Sequence, residues 1–163
     1  PLFKSRLTKV LKDVLGLTSE EEAATALDTF RQQDFSGRRV LLVEDNEINI
    51  EVAAELLGIV GIQVEQALNG RIAVDTVLKK DPGYYDLIFM DIQMPVMNGY
   101  EATRAIRKLP RIDASSIPIL ALSANTFADD IIASREAGMD DHLSKPLEVP
   151  RLLASLRHWL DEK

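Results

Sequence analysis

The sequence predicts an α/β protein: a doubly wound, five-stranded parallel sheet with five helices, behind an N-terminal helical extension. Three observations predict it. From residue 38 onward, short apolar runs alternate with amphipathic helical stretches. The central runs are apolar throughout rather than at every second residue, the pattern of strands covered on both faces. A chemically capable side chain follows four of the five runs: Glu44 and Asp45, then Asp91, then Ser123, then Lys145. Parallel strands all end at one edge of their sheet, where ligands bind.

The elements follow in order. Leu7, Val10, Leu11, Val14 and Leu15 recur at helical spacing until Gly16. Ser19 with Glu22 forms a capping box opening a second helix, with Ala23, Ala26, Leu27 and Phe30 on one face. Gln32–Arg38 is polar, ends in Ser36-Gly37 and reads as a hinge, so residues 1–37 are expected to be a helical connector. Pro1-Leu2 followed by Leu7, Leu11 and Leu15 is echoed by Pro146-Leu147 followed by Leu152, Leu156 and Leu160, at a constant offset of 145. The echo leads to the expectation that 1–15 is the last helix of a preceding domain of the same kind. The start on Pro1 suggests a piece of a longer protein.

The strands are expected at Val40–Val43, Gln63–Ala67, Leu87–Met90, Ile117–Leu122 and His142–Ser144, with the mixed-polarity second and fifth at the sheet edges. Between them, Val52, Ala53, Leu56, Leu57 and Val60 form one helical stripe, with Asn46 as its cap. Ala73, Val74, Val77 and Leu78 form the next, Ala102 and Ile106 mark a third, and Ile131–Ala137 a fourth, closed by Gly138. The last carries Val149, Leu153, Leu156 and Leu160, with Pro150 in its first turn, where a missing N–H costs nothing. Asp140-Asp141 is expected in the turn before the last strand, and Trp159 is expected to pack partly against the body.

Composition narrows the function. The 163 residues carry a net charge of −7, which argues against general nucleic-acid binding. There is no cysteine, so disulfides, thiolate zinc and cysteine catalysis are excluded, which fits a reducing compartment. No apolar run reaches the ~20 residues of a membrane span.

Three carboxylates converging on one edge repel each other unless a hard divalent cation sits among them. Magnesium takes oxygen ligands and keeps several waters. A lysine and a hydroxyl opposite the metal hold the remaining oxygens of a tetrahedral oxyanion. The chemistry implied is phosphoryl transfer to Asp91, with Lys145 and Ser123 on the equatorial oxygens.

Val43-Glu44-Asp45-Asn46, Met90-Asp91-Ile92-Gln93-Met94-Pro95-Val96-Met97-Asn98-Gly99, Leu122-Ser123-Ala124 and Ser144-Lys145-Pro146 stand in order across residues 38–163. In that order and spacing they resemble a receiver domain of two-component signalling, in forms most similar to receivers of hybrid sensor histidine kinases. The resemblance implies a flavodoxin-like fold with strand order 2-1-3-4-5 and Asp91 as phosphoacceptor. It implies Mg2+ held by Asp45, Asp91 and the backbone carbonyl of Gln93, with Glu44 acting through water. Ser123 becomes the switch hydroxyl and Lys145 the partner of the phosphoryl group. His142 stands at the switch position usually held by tyrosine or phenylalanine, and the Lys145–Pro146 peptide is expected to be cis. The implied partners are a histidine kinase domain and a histidine phosphotransfer domain, with no nucleic acid and no membrane contact by this segment. The implied location is cytoplasmic, on a parent anchored elsewhere or not. A weak homodimer through the fourth helix, fifth strand and fifth helix stays open.

Two other readings compete. A phosphatase with an aspartyl-phosphate intermediate needs a second acid two residues past the nucleophile, where this chain has Gln93. A degenerate receiver acting as a docking scaffold would lack site residues, and here all five are present.

Overall fold

The computed structural model describes residues 32–124, 128–145 and 147–161, together with Thr25 and Asp28. The leucine echo at 1–15, the Ser19–Glu22 box and the Lys145–Pro146 peptide lie outside the described residues. The order is β1 Arg39–Val43, α1 Glu47–Ile59, β2 Gln63–Ala67, α2 Gly70–Lys79, β3 Leu87–Asp91, α3 Gly99–Arg107, β4 Ile119–Ser123, α4 Ala128–Ala137, β5 Asp141–Ser144 and α5 Val149–Leu156. A π-helical turn, Arg157–Asp161, continues α5. The strands are parallel in the order β2-β1-β3-β4-β5, as expected.

Alternation along the strands divides the core in two. Leu42, Phe89, Leu120 and Leu143 face one layer, with Leu56 and Leu57 of α1 and Leu152 and Leu156 of α5. Leu41, Val43, Ile88 and Met90 face the other, with Val74 and Val77 of α2 and Ile106 of α3. That is why the central strands are apolar throughout. Asparagines cap the first three helices: Asn46, Asn69 and Asn98, the last in a capping box with Glu101.

Four details differ from the sequence reading. Asp141 is the first residue of β5, paired with Leu120, and only Asp140 precedes the strand. Leu78 is exposed, because α2 buries Gly70, Ala73, Val74 and Val77, and Leu78 lies about a quarter turn from the centre of that stripe. The fourth strand starts at Ile119, since Pro118 has no N–H and that of Ile117 turns back to the Asp113 carbonyl. The polar segment before β1 is docked. Phe35 is buried in the α1–α5 core and its N–H donates to the Val60 carbonyl at 2.7 Å. Gln33 accepts from Arg157, and Arg38 donates to the Leu160 carbonyl at 2.9 Å. Phe35→Ala is therefore expected to cost about 3 kcal/mol, the usual toll of emptying a phenylalanine site. Thermal unfolding checks it; an unchanged midpoint would mean the segment only rests on the surface.

α4 is held differently from its neighbours. Among the described residues its buried side chains are the small Ser134 and Ala137, while Ile132 is 53% exposed. Little apolar area ties this helix down, so its amides are expected to exchange hydrogen faster than those of α1 or α5. Equal protection across the three helices would count against that.

Candidate functional site

Each carboxyl-terminal strand end delivers one part of the site. Glu44 leaves β1, and its N–H is tied to the Ala67 carbonyl at the end of β2. Asp91 is the last residue of β3 and Ser123 the last of β4. Lys145 follows β5, its N–H bonded to the Ser123 carbonyl at 2.9 Å. These residues, with Asp45 and Gln93, line one open cleft of about 190 Å³. The expected residues are thus brought together, except His142. It is half-buried on β5 opposite Ala121 and does not line the cleft.

Close backbone packing shapes the rim. A Cβ on Gly99 would lie 2.3 Å from the Asp91 carbonyl oxygen, and one on Gly70 2.5 Å from that of Met97. The loop from Met94 to Asn98 is thereby pressed against the end of β3 and the start of α2. Within it, Met97 N–H donates to Pro95 at 2.8 Å, and Val96 takes a φ of 69°. This is a strained turn for a β-branched residue, held beside the site.

The electrostatics are those of too many acids for one base. Glu44 and Asp91 are buried, and Asp45 is exposed. One oxygen from each lies within 4.8 Å of the others. The Lys145 ammonium stands 2.7 Å from Glu44 Oε2 and 3.0 Å from Asp91 Oδ1. Burial pushes Asp91 up, the lysine opposes, Glu44 adds to the rise, and the carboxyl ends at about 7. Glu44 is also buried, but Lys145 outweighs that and holds it below the usual carboxylate range. Lys145 is raised, because its two carboxylates outweigh its own burial. One lysine charge neutralises one acid, and Asp91 keeps a proton for lack of a second cation. An oxygen-only donor set with surplus negative charge fits a hard divalent ion such as Mg2+.

The response regulator receiver domain family matches residues 40–157. The chain belongs to that family. The chain is 36% identical over 143 residues to the peroxide stress-activated histidine kinase mak1 of Schizosaccharomyces pombe, covering 87% of this chain and 9% of that protein. It is 41% identical over 137 residues to the aerobic respiration control sensor protein ArcB of Escherichia coli, covering 82% of this chain and 17% of that protein. It therefore spans a small part of the length of these relatives. Among solved structures it is similar to the receiver domain of sensor histidine kinase PA1611 from Pseudomonas aeruginosa, which has a magnesium ion coordinated in its active-site cleft. That match has a TM-score of 0.69 and 36% identity, covering 77% of this chain and 99% of that one. It is also similar to the Ssk1 receiver co-crystallised with the histidine phosphotransfer protein Ypd1 of Saccharomyces cerevisiae. There the TM-score is 0.71 and the identity 31%, covering 79% of this chain and 92% of that one.

Two residues of consequence escape the sequence reading. Asn49 lines the cleft. Its position one helical turn past Asn46 was the available signal. Arg107 organises the far edge of β4 and β5, and nothing in its surroundings in the sequence distinguishes it from other helix arginines. No helix among the described residues is long and apolar enough to cross a membrane.

Proposed function

We propose that this receiver takes a phosphoryl group from a phosphohistidine donor onto Asp91. It then passes the group to a histidine phosphotransfer domain or changes conformation. The observation that carries the reading is the buried carboxyl of Asp91, held 3.0 Å from the Lys145 ammonium inside an oxygen-lined cleft. The ionised Asp91 carboxylate, its proton released to solvent, attacks phosphorus through one oxygen, and the bond from phosphorus to the donor imidazole nitrogen breaks with its electron pair staying on nitrogen. Lys145 can follow the transferred oxygens, and the Ser123 hydroxyl at the end of β4 can donate to one of them. Asp45, Asp91 and the Gln93 carbonyl would hold Mg2+, with Glu44 reaching it through water. When bound, the ion offsets the negative charge gathered on the reacting oxygens.

With Ser123 drawn toward the phosphoryl group, the loosely docked α4 is the element whose position is cheapest to change. His142 shares the sheet face of Ala121 and Ser123, so it is placed to follow that movement. The similarity to histidine kinases supports a hybrid-kinase parent, in which this module would work on the cytoplasmic side.

Incubation with acetyl phosphate and Mg2+ tests the reading. The expected outcome is one added phosphoryl group, detected by intact mass and mapped to Asp91. No transfer to the wild-type domain under these conditions would favour a docking scaffold instead.

A further inference from the structure

Asn49 sits in the first turn of α1, its backbone N–H held by the cap oxygen of Asn46 at 3.1 Å. Its side chain is half-buried and lines two adjoining spaces. One is the cleft that contains Asp91 and Ser123. The other is an apolar slot walled by Leu42, Ala53, Leu122 and Leu147. Glu44 and Lys145 also line both, so the Asn49 side chain stands at the seam where that ion pair lies. Among the described residues its carboxamide has no hydrogen-bond partner.

Glu44 has a complementary need. Its Oε1 accepts the Asn46 N–H at 3.2 Å. Its Oε2 is buried and faces the Lys145 ammonium at 2.7 Å, and the carboxylate's other side-chain hydrogen bond comes from Asp91, the group that phosphorylation would change. The same ammonium serves Asp91. A phosphoryl group on Asp91 brings strong acceptor oxygens that compete for it. A buried carboxylate oxygen that loses its donor costs more than an ordinary hydrogen bond is worth.

We propose that Asn49 is a positioning residue of the phosphorylated state: its carboxamide N–H donates to Glu44 Oε2 as Lys145 turns to the phosphoryl group. The lysine is thereby released without stranding Glu44. This rests on the reading of Asp91 as phosphoacceptor.

The test uses beryllofluoride as the phosphoryl mimic at saturating Mg2+, with Mg2+ affinity and thermal stability measured alongside. Asn49→Leu keeps the side chain's size, suits the apolar slot and removes the donor. It is expected to keep its Mg2+ affinity and melting midpoint and to lose about tenfold in beryllofluoride affinity. In a Glu44→Gln background the same substitution is expected to change nothing, because the carboxylate it serves is gone. In the wild type, the Asn49 side-chain amide resonances should shift when beryllofluoride is added and stay in place with Mg2+ alone. Wild-type beryllofluoride affinity in Asn49→Leu overturns the proposal, as does an equal loss with and without Glu44. Failure of the wild type itself to bind beryllofluoride removes the phosphoacceptor reading, and this proposal with it.

Discussion

Asp91→Asn is expected to end phosphoryl acceptance and, without metal, to make the domain more stable. The first effect is loss of the proposed nucleophile. The second follows from the carboxyl's environment. Asp91 titrates at about 7 in the folded chain against 3.8 for a free aspartate. The folded state therefore holds a proton that the unfolded chain has already released. Between pH 4 and 7 the unfolded state binds fewer protons, so stability falls as pH rises, and the full cost is present above 7. Asparagine has the shape of the protonated acid and escapes that cost. The gain is expected to be at most about 4 kcal/mol at pH 8 and to vanish near pH 4. Denaturant unfolding of both proteins at the two pH values checks it. A variant less stable than wild type at pH 8 would mean that the Lys145 pair outweighs the crowding of charge. Mg2+ should stabilise the wild type and have little effect on the variant, since binding to the folded state alone raises stability.

Arg107→Met is expected to be strongly destabilising, costing about 2–4 kcal/mol through the carbonyls it leaves without a donor and lowering the melting midpoint by about 10 °C. The guanidinium ties three segments together. Its Nε donates to the Gly138 carbonyl at 2.9 Å, and one terminal nitrogen donates to Ala114 and Ile117 at 3.1 and 2.7 Å. The other pairs with Asp140 at 2.8 Å. Asp140 in turn accepts the Ile119 N–H at 2.9 Å, at the first residue of β4. Methionine keeps most of the packing volume but leaves three carbonyls without this donor and Asp140 without its cation. A lysine in this place supplies charge without the fork and should recover only a small part of the loss. The knot lies at the opposite strand ends from Asp91. Variants that still fold should thus accept a phosphoryl group, which acetyl phosphate labelling below the melting transition would show. A midpoint within a few degrees of wild type would mean that water replaces the guanidinium at little cost.

These two residues mark what was legible beforehand. Asp91 could be read because its surroundings are written locally: an apolar strand before it, a Met-Pro-x-Met-Asn-Gly loop after it, and partners at the ends of other strands. Arg107 could not. Its four acceptors lie between 7 and 33 residues away, and three are backbone carbonyls that any residue could supply. Phe35 escaped in the same way, since a single aromatic in a polar stretch carries no period. Leu78 failed for the opposite reason. It fits the helical spacing, but the buried arc of α2 stops short of it.

By itself, the sequence determined the alternation of strands and helices, the two-sided burial of the central strands and the set of side chains at the sheet's carboxyl edge. Those features depend on period and position along the chain, and parallel pairing turns position into place. The tertiary structure alone decided the charge balance. One lysine lies between two buried carboxylates, so Asp91 is raised to about 7 while Glu44 is held below the usual carboxylate range. It also decided that residues 33–38 dock on the receiver and that Asn49 lines the same cleft as Glu44. Such outcomes turn on distances of a few ångströms between residues far apart in sequence, where Coulomb and desolvation energies change steeply and no local pattern records them.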